Sequence, residues 1–175
     1  MTAASYNCDM ARHLTILVVL TGLTDAAGQN GRTPEALSAP AGERLAFQLH
    51  ASGDQIYICR NRAWEFKAPE ARLFDAAGHQ AGKHFAGPIW QSSDGSQVKG
   101  KLVASAPGPD TNAIPWLLLT AVQHSGSGVM SPVTSIQRLH TKAGNAPKDS
   151  CDGAHEGTET RSPYQADYFF FVRAN

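Results

Sequence analysis

No excess of charge of either sign is present: fifteen Lys and Arg residues stand against fifteen Asp and Glu in a chain of 175. Without a net field or a local run of basic residues there is nothing to draw nucleic acid or an anionic membrane surface, so neither is expected as a partner. Long apolar runs are also lacking. The stretch Leu14 to Leu23 covers about ten residues, where roughly twenty are needed to span a bilayer, so no membrane span is expected in the mature protein. Neither G-x-S-x-G nor H-E-x-x-H occurs, which removes the nucleophile elbow and the zinc-binding helix. Cysteine is scarce, with three in the whole chain.

The N-terminus carries the most readable signal. Arg12 and His13 precede the apolar stretch, and Thr24, Asp25, Ala26, Ala27 and Gly28 follow it. That order predicts a secretory signal peptide over residues 1–27 and a secreted, extracellular or periplasmic location. A chain started at Met10 has the same signal in more compact form. With either start Cys8 falls outside the mature protein, leaving Cys59 and Cys151 for an oxidising compartment, where one pairing is open to them. Two separate buried thiols are the alternative.

Residues 28–42 (GQNGRTPEALSAPAG) have no apolar period and read as a flexible lead; residues 43–175 read as one β-rich domain. From Glu43, Leu45, Phe47 and Leu49 alternate with polar or small residues, as in a half-buried strand. QIYICR (55–60), WEFK (64–67) and ARLFD (71–75) follow as short strands separated by Ser52-Gly53-Asp54, Asn61 and Ala68-Pro69. Ile89 to Ser92 and Gln97 to Ser105 continue the series. Ile114 to His124 and Val133 to Thr141 form a buried hairpin or, since short apolar runs are ambiguous, contain a helical arm. Residues 142–163 read as a long loop tethered by Cys151, and Gln165 to Arg173 as a central strand covered on both faces. The expected class is all-β, a single antiparallel barrel or sandwich-like domain with long loops.

Several motifs imitate known sites and fail on context. Gly126-Ser127-Gly128-Val129-Met130-Ser131 lacks the third glycine and the following helix of a dinucleotide fingerprint, so it reads as a hairpin turn. Gly78 to His84 has the wrong spacing for a phosphate loop. The histidines beyond the signal, His50, His79, His84, His124, His140 and His155, have no metal-ligand spacing, and no metal or other cofactor is expected.

The densest group of chemically capable residues runs from Gly82 to Ser96. There His84 offers an acid or base, Trp90 a stacking face and Asp94 an orienting carboxylate. Read structurally, Trp90 is core, Gly87-Pro88 a turn, and Asp94 the start of the next turn. Arg138 lies between Ile136 and Leu139 on a strand near the sheet interior and requires a carboxylate, Glu65 or Glu70, or else an anionic ligand. Trp64, Trp90, Trp116, Tyr57, Tyr164 and Tyr168 are either core or the lining of a groove. Together these point to His84, Trp90, Asp94 and Arg138 around a polar ligand, a small molecule or glycan. The alternatives are an extracytoplasmic hydrolase using His84 and Asp94, or a non-catalytic envelope or matrix protein.

The segments YICRNRAWEFKAPEARLFDAAGHQAGKHFAGPIWQSSDGSQVKGKLVASAPGP, IPWLLLTAV, SIQRLHTKAGNAP and YQADYFFF, with Cys151, resemble the family DUF3455 over roughly residues 34–173. Among the positions that match are Cys59, Trp64, Pro69, Glu70, His84, Gly87, Pro88, Trp90, Asp94, Pro115, Trp116, Arg138, Tyr164 and Tyr168. The resemblance implies an exported domain and supplies no activity. At Ala143 this chain departs from a Gly-Gly pair in the family pattern.

Overall fold

The computed structural model describes residues 1 and 32–175. Apart from Met1, the signal expected over 1–27, with Cys8 and Met10, lies outside the described residues. Eight strands follow in order: β1 (Glu43–Arg60), β2 (Ala63–Phe74), β3 (Gln80–Phe85), β4 (Ile89–Ser92), β5 (Gln97–Ala106), β6 (Trp116–Ser125), β7 (Val133–Ala143) and β8 (Glu159–Arg173). Each pairs antiparallel with the next, and β1 also pairs with β8, so one sheet closes into a barrel. The all-β antiparallel class expected from alternation is the class found. Closure gives β1 and β8 a partner on both sides where an open sheet would expose two long edges.

The strands are longer than their sequence punctuation suggests. Ser52-Gly53-Asp54, read as a separator, lies inside β1, where Gly53 pairs with Ala71. A Cβ at Gly53 would sit 2.2 Å from the Glu70 carbonyl oxygen, so this glycine admits a close neighbouring backbone and marks no turn. Ala68-Pro69 likewise lies inside β2. Pairing of β2 with β3 begins only at Ala71, so the N–H that Pro69 lacks breaks no bond to β3.

β6 and β7 are both strands, which removes the helical alternative for residues 114–124 and 133–141. The apolar run Trp116 to Leu119 of β6 is buried on two faces, and β7, though it carries many polar residues, also buries Ile136 on one face and Leu139 on the other. Leu119, Ile136 and Phe170 enter the barrel interior with Leu49, Leu73, Trp90, Val98 and Met130. Leu118, Leu139 and Trp116 point outward and cluster with Leu37, with Phe169 packed against them.

Leu37 comes from the stretch expected to be a flexible lead, where Glu35–Leu37 forms a 3-10 turn. That expectation is corrected for these residues: Leu37 is fully buried, and its carbonyl accepts a hydrogen bond from Gln137 Nε2. Burying such a side chain contributes about 1.5–3 kcal/mol, enough to hold a short turn against the sheet.

β8 starts at Glu159, so the loop expected over 142–163 shortens to 144–158. Cys59 and Cys151 lie at disulfide distance, with Cα atoms 5.5 Å apart. The Trp64 indole donates to the Asp149 carbonyl at 2.9 Å, and Gly157 N donates to the Cys59 carbonyl at 2.8 Å. The loop is thereby fastened over the β1–β2 hairpin. Ala143, where the resembled family shows glycine, has φ 52°, a left-handed conformation that costs an L-residue about 1–2 kcal/mol.

Candidate functional site

Unequal strand lengths leave a notch in the barrel wall. β3 and β4 have 6 and 4 residues, whereas the flanking β2 and β5 have 12 and 10. β4 pairs with β5 only as far as Lys99, and β2 is free of β3 before Ala71. Above the Gly87-Pro88 turn, β2 and β5 therefore face each other unpaired, and a cavity of about 600 Å³ opens between them into the barrel.

Its walls are apolar. Phe66 comes from β2, Leu102 from β5, and Leu117, Leu119 and Val122 from β6. Phe66, Leu102 and Val122 are exposed at the mouth, Leu102 by 55%. Gly100 keeps the interior open, because a Cβ there would lie 3.0 Å from the Trp90 ring and 3.2 Å from Leu119. The mouth carries Lys67, Lys99 and Lys101, and among the described residues no carboxylate lines the cavity.

The floor is polar and buried, formed by Gln55, His84, Trp90 and Tyr168 with Arg138 beside them. His84 stacks on Trp90 with ring centroids 4.3 Å apart and planes at 11°, and Tyr168 meets both rings edge-on. The His84 Nδ1 lies 2.9 Å from the Ile89 carbonyl. A carbonyl only accepts, so Nδ1 carries the proton and Nε2 keeps its lone pair. Burial drives the His84 pKa down to about 3 against the opposing hydrogen bond to Ile89, and Arg138 lowers it further. The ring is therefore neutral at ordinary pH. Burial also raises the Tyr168 and Tyr164 hydroxyl pKa values, with Arg138 acting in the opposite direction on both.

Among the described residues Gln55 Nε2, Trp90 Nε1, Tyr168 OH and Tyr164 OH are buried and make no hydrogen bond of regular geometry, although Tyr164 lies close enough to Gln55 and Tyr168, and Tyr168 to Arg138, for these neighbours to act on the two hydroxyls. The first three belong to residues that line the cavity. Arg138 is half-buried; its Nε and Nη2 donate to the Pro115 carbonyl at 3.2 and 2.8 Å. Neither carboxylate considered for it, Glu65 or Glu70, forms a salt bridge with it among the described residues, and Glu70 pairs with Arg161 at 2.7 Å. Arg138 stands directly opposite Tyr168 in the β7–β8 register.

The structure thus brings together His84, Trp90 and Arg138 of the four residues singled out from sequence, and separates Asp94. His84 pairs with Trp90 across the β3–β4 hairpin. Asp94 lies four residues further along, in the turn beyond the end of β4 at Ser92, and does not line the cavity. Its carboxylate accepts from Ser96 N (2.9 Å), Ser96 Oγ (2.6 Å) and Val129 N (2.9 Å). Those bonds, Ser96 Oγ first, lower its pKa to about 2. Asp94 ties the β4–β5 turn to the β6–β7 loop, whose Met130 is buried in the interior cluster. The residues Gly126 to Ser131 that imitate a nucleotide fingerprint are this loop.

Of the other aromatic candidates, Trp116 packs in the outer cluster, Trp64 holds the Cys151 loop, and Tyr57 donates to the Gly144 carbonyl at 2.8 Å. Gln55, Gly100, Leu102 and the mouth lysines were not singled out from sequence as site residues. The signal available for Gly100 and Leu102 was their common face with Val98 on one strand; nothing comparable marked Gln55.

Among the described residues no cluster of three or more His, Cys, Asp or Glu side chains is arranged to hold a metal ion. No helix among them is long and apolar enough to cross a membrane. Comparison with curated proteins and with solved structures gives no match. The family model described as "Protein of unknown function (DUF3455)" matches residues 40–172, nearly the whole described chain, and the protein belongs to that family.

Proposed function

We propose that this protein is a binding barrel of the extracytoplasmic space that holds a small molecule in the notch cavity and releases it unchanged. The observation that carries this reading is the apolar notch cavity over a polar floor, where Gln55 Nε2, Trp90 Nε1 and Tyr168 OH make no hydrogen bond of regular geometry among the described residues. A buried donor without an acceptor costs about 1–3 kcal/mol, and folded proteins satisfy such groups with protein, water or ligand atoms. The cavity volume of about 600 Å³ suits a small molecule. A cysteine pair at disulfide distance is compatible with an oxidising compartment.

The wall chemistry favours a ligand with an apolar body and a polar head over the carbohydrate suggested by isolated residues. Trp90 is 1% exposed, stacked on His84 and packed edge-on by Tyr168 and Phe170, which leaves no open face as a sugar platform. Hydrolysis by His84 and Asp94 loses support because Asp94 is engaged elsewhere and His84 Nδ1 is oriented by a carbonyl. A general base oriented by a carboxylate stabilises the imidazolium it becomes; a carbonyl in a dry site does so poorly.

A thermal-shift screen of small molecules with apolar bodies and polar heads tests the reading. A ligand at a hundred times its Kd is expected to raise the melting temperature by about 5–10 °C. Leu102→Trp, which places a large ring in the exposed mouth, is expected to abolish the shift, and the bound compound should be recovered intact by mass spectrometry. If no compound stabilises the wild type, the binding reading falls and a structural envelope role stands. Recovery of a cleaved product establishes the hydrolase instead.

A further inference from the structure

We infer that the ligand of the notch cavity is an amphiphilic anion, an acidic head on an apolar body, and that Arg138 receives the head. This rests on the binding reading above and names the chemical class it implies.

The charge distribution is the first ground. Across the chain the two signs balance, yet among the described residues the cavity is lined by Lys67, Lys99, Lys101 and Arg138 with no Asp or Glu. Lys67 is paired with Glu159. Lys99, Lys101 and Arg138 form no salt bridge among the described residues. A one-signed lining with low-dielectric walls raises the local concentration of the opposite charge.

The second ground is the setting of Arg138. Two of its donors are fixed on the Pro115 carbonyl, which sets the plane of the guanidinium, and the group lies close enough to the Tyr168 hydroxyl to lower its pKa. Removing a guanidinium from water without a counter-charge is costly, and a carboxylate or sulfonate supplies both the charge and in-plane acceptors. Tyr168 OH and Gln55 Nε2 belong to residues of the same floor but are closed to solvent as placed, so each donates to an oxygen of the head only after its side chain turns toward the cavity. A neutral ligand leaves Arg138 uncompensated, and a cationic one is repelled.

The third ground is the wall. Leu117, Leu119, Leu102, Val122 and Phe66 lead from the floor to the mouth with no acidic interruption. An alkyl or aryl body follows that path while the stems of Lys99 and Lys101 cover it.

Calorimetric titration with decanoate, 1-decanol and decyltrimethylammonium separates the possibilities. Decanoate is expected to bind about 10–100-fold more tightly than decanol, the range of a charge-assisted hydrogen bond, with no binding of the cation. Arg138→Met should remove that advantage and leave decanol affinity within about threefold. Arg138→Lys keeps charge without the planar fork; it is expected to lose about 3–10-fold and replaces the Met variant should that one not fold. The Lys99→Gln/Lys101→Gln pair is expected to cost less than about threefold.

Equal affinity for decanoate and decanol, surviving Arg138→Met, overturns the anion class while the binding reading stands. Loss of decanoate binding in the double lysine variant but not at Arg138 overturns the seat of the head. Binding of none of the three, beside positive compounds in the broader screen, also overturns the class. Failure of every compound in both experiments overturns the binding reading itself.

Discussion

At His84 burial and hydrogen bonding compete, and burial wins. The ring is 3% exposed and stacked on Trp90, so a proton on Nε2 would place a cation beside Arg138 in a dry site. The folded-state pKa of about 3 lies below the ordinary 6.5. The unfolded chain therefore takes up the proton first, and the stability conferred by neutral His84 is complete above pH 6.5. It is lost as pH falls toward 3, by at most about 1.4 kcal/mol per pH unit. The His84 ring signal in NMR is expected to remain that of the neutral form from pH 8 to 5, where a midpoint near 6.5 would refute the burial account. His84→Gln should make the decline in melting temperature between pH 6.5 and 3 shallower than in the wild type. Residue-level reasoning reached His84, Trp90 and Arg138 because aromatic and charged side chains amid glycines or apolar neighbours stand out. It misplaced Asp94, since ten residues of separation hide the length of a hairpin.

At the scale of elements, the Cys151 loop and the β3–β4 hairpin shape the site. The two cysteines close a loop with a sequence separation of 92, and chain-entropy reasoning assigns such a closure about 4–5 kcal/mol. The Cys59→Ser/Cys151→Ser double variant is expected to lose about that much unfolding free energy in a denaturant titration. Cleavage by a protease should shift into residues 144–158. Unchanged stability would mean that the backbone bonds around Cys59 suffice without the cross-link. The short hairpin leaves β2 and β5 with unpaired backbone, and these edges carry Lys67, Pro69 and Lys101. A proline and lysines discourage another strand from adding there. Pairing also explains why Gly53 and Pro69 misled the strand boundaries. Both residues punctuate isolated strands, but here one admits a close neighbour and the other lies where β3 is absent.

For the molecule as a whole, the first strand must find the last. β1 pairs with β8 from Glu43 with Arg173 to Ile58 with Glu159, and these contacts exceed those of sequential hairpins in separation. Loop-closure entropy is lost before such contacts form, so refolding with the cysteine pair intact is expected in the millisecond-to-second range. Stopped-flow tryptophan fluorescence checks this, and completion within microseconds would contradict closure as the limiting event. The all-β class and the cysteine pair were legible because alternation with period two and a count of two cysteines are local facts. The covering of β6 and β8 on both faces was half legible: the unbroken apolar run of β8 announced it, while Leu37 hid in a Pro- and Ala-rich lead.

By itself the sequence determined which side chains alternate along a strand, where turns such as Gly87-Pro88 and Asp94-Gly95 fall, and that two cysteines had only each other beyond the expected signal. Tertiary structure alone decided which faces meet across the barrel. Side-chain period sets two faces per strand, but closure, register and unequal strand lengths choose the inner one and leave the wall open above Gly87-Pro88. For that reason Gln55, Tyr168 and Arg138, from the first strand and the last two, became the floor of one cavity, while Asp94, nearer to His84 in the chain, was carried away from it.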